Sequence, residues 1–294
     1  MFHDKKRLVL VAILAVLLMC VPGTAAAGSS PLAKSPTGLL ITPVRQFLSV
    51  NAGGETKSAL TVENLTGSTL RVSFSVEQFS VTDYVYNYTF SQPNNTWLQP
   101  SIPDVDLQPH QSVDIPFTIT VPPRSAPGGY YYTLLASASL STAGVTNTIQ
   151  AADLIYFTVN GPLITVSHLE ANSIDHLVFG RTIPFHLEPI NTGNVYSFVY
   201  VSGQLHGLLV KPPETSTAHI LMPGKVRALD GAISSPVLPG IYLVTYGYKT
   251  TAGWAIELSS WVIFIPPWFI AFVLAVLLIL GKFLPKRRHT SVSD

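Results

Sequence analysis

The sequence predicts an all-β protein: two tandem Ig-like antiparallel β-sandwiches followed by one C-terminal transmembrane helix. Three observations lead there. Apolar residues recur with period two through most of the interior, one set of turn motifs occurs twice in the same order, and long uncharged runs are confined to the two ends. The 294 residues give room for two ordinary domains. Charged residues make up 11% and hydrophobic ones 47%, which excludes a disordered chain. With 17 Lys+Arg against 16 Asp+Glu, the composition also argues against a nucleic-acid partner.

The N-terminus opens with Lys5-Lys6-Arg7, continues uncharged from Leu8 to Val21, and reaches small residues at Ala25 and Ala27. That order predicts a signal peptide over 1–27, cut after Ala27. The single cysteine, Cys20, leaves with it, and Met19 before it is not the small residue a lipoprotein signal needs. No disulfide or thiolate–metal site is then available to the mature chain.

At the other end the chain is uncharged from Trp261 to Gly281, and Trp268 to Leu280 follows Pro266-Pro267 without a breaker. A transmembrane helix is expected over 265–284, with Trp268 at the headgroup level and Lys282 reaching into the inner interface. Lys286, Arg287 and Arg288 would hold a basic tail, 285–294, in the cytoplasm. The expected localisation is the cell membrane, single-pass, with the ectodomain extracellular.

Within the interior, Leu70, Val72, Phe74 and Val76 alternate with polar residues, as do Val113, Ile115, Phe117 and Ile119, then Ile183, Phe185 and Leu187. Such runs are half-buried antiparallel strands. Pro116 and Pro184 fall on their outward sides, which predicts edge strands. An internal repeat divides the region. Pro127-Gly128-Gly129-Tyr130 with Thr133 matches Pro239-Gly240-Ile241-Tyr242 with Thr245. Each is preceded upstream by a strand ending in an Asn turn, at Asn64 and at Asn191. With Asn160-Gly161 as the joint, the domains are 36–160 and 161–264.

The early Ile41-Thr42-Pro43-Val44 strand, Ala52-Gly53-Gly54, the Asn64 turn, the Pro-Gly-x-Tyr strand and the Asn191-Thr192-Gly193-Asn194 turn together resemble the bacterial WxL-interacting cell-surface proteins. With the signal peptide, helix and basic tail, the resemblance covers nearly the whole chain. It implies a non-enzymatic cell-surface binding protein whose first domain contacts peptidoglycan or another surface glycan. It also implies WxL-domain surface proteins as partners, and host extracellular components for the second domain. The same turn signals arise in fimbrial-chaperone-like sandwiches, so the alternative is an envelope chaperone acting by β-strand addition to an exported partner.

Catalytic chemistry is thin. His168 with Glu170 and His186 with Glu188 lie in different strands with no further ligand pattern, and Asp83, Asp104, Asp106 and Asp114 form no calcium loop. No phosphate loop or nucleophile elbow is present. No catalytic residue, metal site or cofactor is expected. The candidate ligand-binding residues are aromatic: Tyr84, Tyr86 and Tyr88, which a strand would set on one face, and Trp97 in the loop that follows. The competing reading is a set of rings covering their own sandwich.

Overall fold

The computed structural model describes residues 38–142, 145–207, 214–215, 218–253 and 255–283. The signal peptide and the basic residues Lys286, Arg287 and Arg288 lie outside the described residues. Nineteen strands and one helix follow in order. The first ten are β1 (Leu39–Thr42), β2 (Arg45–Asn51), β3 (Glu55–Asn64), β4 (Leu70–Val81), β5 (Tyr88–Ser91), β6 (Leu98–Pro100), β7 (Asp104–Leu107), β8 (Ser112–Thr120), β9 (Gly128–Thr142) and β10 (Val145–Asn160). The rest are β11 (Ser167–Ile174), β12 (Leu177–Val178), β13 (Thr182–Asn191), β14 (Ser197–His206), β15 (Glu214–Thr215), β16 (His219–Leu221), β17 (Leu229–Ser234), β18 (Gly240–Thr250), β19 (Ala255–Phe264) and α1 (Pro267–Phe283).

The strands form β-sandwiches. Sheet β1-β3-β8-β6 packs on sheet β2-β10-β9-β4-β5, with β7 paired to β4. Sheet β11-β13-β17 packs on β12-β19-β18-β14-β15, with β16 paired to β14. The alternation read from sequence becomes the core: Ile115, Phe117 and Ile119 face Leu134, Ile155 and Phe157, all at most 1% exposed. In the second pair, Ile183, Phe185 and Leu187 face Val199, Val201 and Val244.

The two pairs of sheets repeat one design. Asn64 and Asn191 end β3 and β13, each fully buried. Asn64 Nδ2 donates to the carbonyls of Ser68 (2.8 Å) and Leu107 (3.0 Å), and its Oδ1 accepts from the Thr66 amide. Asn191 does the same with Val195 (2.9 Å), Leu221 (3.0 Å) and the Gly193 amide. Tyr130 and Tyr242 each donate to the carbonyl four residues back, Ala126 and Leu238, both at 2.9 Å. The repeated motifs are thus sandwich-building devices: a buried amide that satisfies the chain at a corner, and a tyrosine that pins the start of a long strand.

In both pairs the first strand is split between the two sheets. β1 pairs with β3 and β2 with β10; β11 pairs with β13 and β12 with β19. β2 and β12 run parallel to their neighbours, the remaining ladders being antiparallel. β2 pairs with β10 over Leu154–Asn160 only.

Two expectations are corrected here. Pro116 and Pro184 do not mark edge strands, since β8 lies between β3 and β6, and β13 between β11 and β17. Their carbonyls accept from Ser101 and Asp175, so their missing N–H groups face sides on which the neighbouring strand has just ended. No ladder bond is lost. The transmembrane helix is the second. The uncharged run is divided between the end of β19 and α1, which begins at Pro267 because proline is tolerated only in a helix's first turn. At 17 residues α1 is about 26 Å long. Among the described residues no helix is long and apolar enough to cross a membrane. The single-pass anchor and the membrane localisation built on it are withdrawn, and with them the anchoring roles of Trp268 and Lys282.

Asn191→Ala should cost about 2–4 kcal/mol, because two carbonyls and one amide lose their partner inside the fold. Urea unfolding of the full chain checks this, and Asn64→Ala should give a loss of similar size.

Candidate functional site

The structure separates the four aromatic candidates. Only Tyr88 lies in a strand, the first residue of β5, where it is 39% exposed. Tyr84 and Tyr86 sit in the loop before it with φ of 63° and 61°, a left-handed backbone that ordinary residues seldom adopt. Period two therefore does not hold over this loop, and the rings do not share one strand face. Trp97 is elsewhere, its ring 4.6 Å from that of Tyr130 and packed on the first core.

The loop is held from outside. Tyr84 donates its amide to Val226 O (2.8 Å) and accepts from the Ala228 amide (3.1 Å), and Asp83 Oδ1 accepts from the Val226 amide at 3.0 Å. The Tyr86 hydroxyl accepts from the Met222 amide at 2.9 Å, and the Arg227 guanidinium lies 4.3 Å from its ring centroid. Phe79, Val81 and Tyr156 from the first pair of sheets meet Ile220 and Met222 from the second in a small core of their own. A second contact joins Asn194 to the start of β9: its Nδ2 donates to Pro127 O and its carbonyl accepts from Gly129 N. Gly128, at φ 144°, leaves no room for a Cβ, which would lie 2.9 Å from the Asn194 carbonyl. Tyr84 and Tyr86 thus build the joint between the sandwiches, and the strain of their backbone is sustained by the partner loop.

The histidine and acidic candidates remain dispersed. His186 lies between Asp230 (2.7 Å) and Glu188 (3.3 Å), and the hydrogen bond to Asp230 raises its pKa. Asp104 pairs with Arg71, and Asp114 accepts from Thr61. Among the described residues no group of three or more His, Cys, Asp or Glu could hold a metal ion.

What sequence reading did not find is the outer edge of β10. β9 and β10 form one long hairpin in unbroken register, from Val145↔Thr142 to Val159↔Gly128. Because β2 covers only Leu154–Asn160, no described strand pairs with the outer side of 145–153. Leu154 N–H points outward, to Val44 O. By alternation Thr148, Gln150 and Ala152 turn their amides and carbonyls to the same open side. The segment Val145-Thr146-Asn147-Thr148-Ile149-Gln150-Ala151-Ala152-Asp153 has no proline and no lysine, and its one charge is buried at the far end. The matching edge of β19 is blunted: it carries Glu257, and His176 Nδ1 approaches the Trp261 carbonyl at 3.0 Å.

Asp153 closes the open stretch. It is 0% exposed; Oδ2 accepts from Gln46 Nε2 at 2.6 Å, and Oδ1 has no hydrogen-bond partner. Gln46 is itself held by Ser58 and by the Ala59 carbonyl. Burial raises the Asp153 pKa to about 6, against the smaller lowering effect of Gln46.

No family model matches the chain, and no curated protein matches it. Among solved structures it is similar to the class 5 fimbrial chaperone CfaA, with 13% identity, TM-score 0.43, and coverage of 77% of this chain and 99% of that one. It is also similar to a structure of the Salmonella enterica SafA pilin in complex with the SafB chaperone, at 16% identity, TM-score 0.40, and 79% and 98% coverage. A third is the CsuC–CsuE chaperone and tip-adhesion-subunit complex of Acinetobacter baumannii, at 14% identity, TM-score 0.38, and 66% and 90% coverage. These neighbours are chaperones and chaperone complexes, and none is a WxL-interacting protein. With no family model matching, the resemblance to the WxL-interacting family is withdrawn, together with the peptidoglycan, WxL-protein and host partners it implied. The physical reason lies in the motifs: Asn64, Asn191, Tyr130 and Tyr242 bond to backbone carbonyls at the sandwich corners.

Two measurements follow. Tyr86→Phe leaves the Met222 amide, in a residue 3% exposed, without its acceptor and should cost about 1–3 kcal/mol in urea unfolding. For Asp153 the folded pKa lies above the unfolded one. Its favourable protonated form is therefore fully present below about pH 4 and lost as pH rises through about 6. Asp153→Asn should raise stability above pH 6 by on the order of 1–3 kcal/mol and flatten the response between pH 4 and 6. Unfolding at pH 4.5 and 7.5 reads the difference, and parallel curves for both proteins would contradict it.

Proposed function

We propose that this chain is a non-enzymatic binding protein of two Ig-like units, 36–160 and 161–264, that takes up an extended segment of a partner polypeptide as an added strand along the outer edge of β10. One observation carries the reading. Exposed strand edges in proteins are normally shortened, charged, kinked or covered, because their free amides and carbonyls recruit other chains. Among the described residues the edge over 145–153 has no proline, lysine or register shift and no strand paired to its outer side, whereas the equivalent edge of β19 carries a glutamate and a histidine contact. Main-chain hydrogen bonds to Thr148, Gln150 and Ala152 would supply affinity, and alternate side chains of the added strand would supply selectivity.

This is the strand-addition alternative drawn from the sequence. In it the tyrosines at 84 and 86 act through the joint, and Tyr88 and Trp97 act as packing rings. The open edge runs from beside the joint toward the hairpin tip.

The test uses the purified full chain against a yeast-displayed library of random eleven-residue peptides. Binders are expected, and they should slow amide exchange at Thr148, Gln150 and Ala152. Gln150→Pro removes an outward N–H and leaves the ladder to β9 intact, so it should weaken these binders at least tenfold with unfolding unchanged. Binders that neither protect those amides nor respond to Gln150→Pro would overturn the assignment.

A further inference from the structure

Where the second pair of sheets gives way to α1, three stretches of chain enclose a cavity of 550 Å³. They are the crossing from β12 to β13, the chain leaving β17, and the passage from β19 into α1. The crossing is tied at both ends: Val178 O accepts from Ile265 N and Arg181 O accepts from Ser235 N, each at 2.9 Å. The strands that feed these stretches are also in register, Val178 with Phe264 and Thr182 with Ser234. The cavity is therefore built by the fold itself, and its size lies within the range of about 300–1,000 Å³ usual for small-molecule sites.

The wall is apolar with a single charge. Phe179 and Trp268, both exposed, line it together with the buried prolines Pro236 and Pro266. Arg181 is the one ionised residue of the lining, and among the described residues it has no acidic partner, unlike Arg71 with Asp104. Ser235 belongs to the same wall, and its Oγ is buried without a hydrogen-bond partner among the described residues. Both side chains can donate, neither has an acceptor, and no carboxylate in the lining opposes an anion. Past Trp268 the surface stays apolar, since Ile270, Phe272 and Leu274 of α1 are exposed.

We propose that this cavity binds a single-chain anionic amphiphile, with its carboxylate or phosphate headgroup on the Arg181 guanidinium and its chain among the rings and prolines toward α1. The assignment does not depend on strand addition at β10, which belongs to the other pair of sheets. An exposed guanidinium alone holds a simple anion weakly, because water and salt screen it. An apolar chain on the same molecule adds about fourfold in affinity for each methylene taken from water. A charge-assisted bond then fixes the head, and apolar contact supplies most of the affinity.

Calorimetric titration of the full chain with octyl phosphate, kept at monomeric concentrations, tests this beside inorganic phosphate and 1-octanol. Octyl phosphate should bind at one site per chain, at least tenfold more tightly than either of its parts. Arg181→Gln should weaken it at least tenfold and leave 1-octanol unchanged, and Trp268→Ala should weaken both alkyl ligands severalfold. Arg71→Gln, a lost charge on the first sandwich, should change nothing. Thermal unfolding checks each variant, and if Trp268→Ala fails to fold, Arg181→Gln alone decides. Octanoate titrated in parallel tells a fatty acid from a phosphate ester, and tighter binding of either supports the site. Several equivalents of octyl phosphate taken up regardless of Arg181 would mean that chains merely coat α1, and would overturn the proposal. Inorganic phosphate bound as tightly as octyl phosphate would overturn it too, as would no binding of either alkyl anion.

Discussion

A single strand made to serve two sheets sets the terms for this molecule. The segment Leu39–Asn51 closes one sheet as β1, crosses at Pro43, and closes the other as β2. A chain of that length cannot cover both partners fully. β2 therefore spans less than half of β10, and no described strand pairs with the outer side of the remainder. The open outer side of β10 follows from that shortfall. The second pair of sheets repeats the split with an even shorter β12, but there a histidine side chain and a glutamate occupy the exposed edge.

The joint between the sandwiches follows a different logic. It is polar at its margins, where Asp83, Tyr84 and Asn194 satisfy backbone groups across the boundary, and aromatic at its centre. Such a joint fixes orientation through directional bonds, and buries rings that would otherwise be an exposed apolar patch. Its left-handed tyrosines are tolerated because the loop at 222–228 determines their backbone. The open side of β10 runs away from the joint toward the hairpin tip, where β9 is backed by β4 as far as Ala138 and the hairpin is two-stranded beyond it.

Electrostatics tie the edge to the core. Charged pairs such as Arg71 with Asp104 lie at the surface, where solvent leaves them little energetic weight. Asp153 is the exception, a buried acid held by one amide. Sandwich stability alone would favour a neutral residue there.

Much of the fold was legible in the sequence, because period two, the Pro-Gly-x-Tyr starts and the Asn turns act locally. Alternation at 70–76 and 113–119 needs only the pleat of a strand to become a core, and Asn64 and Asn191 need only their own corners. The family resemblance failed for the same reason: those motifs encode corners that many sandwiches share. The terminal apolar run misled because composition does not reveal that a strand ends and a helix starts at Pro266-Pro267. Tyr84 and Tyr86 alternate as a strand would, yet a loop from the second half of the chain decides their backbone. The β10 edge was invisible for a deeper reason. Whether a strand is covered depends on where a partner some hundred residues away in sequence stops pairing, and only the assembled sheets fix that register.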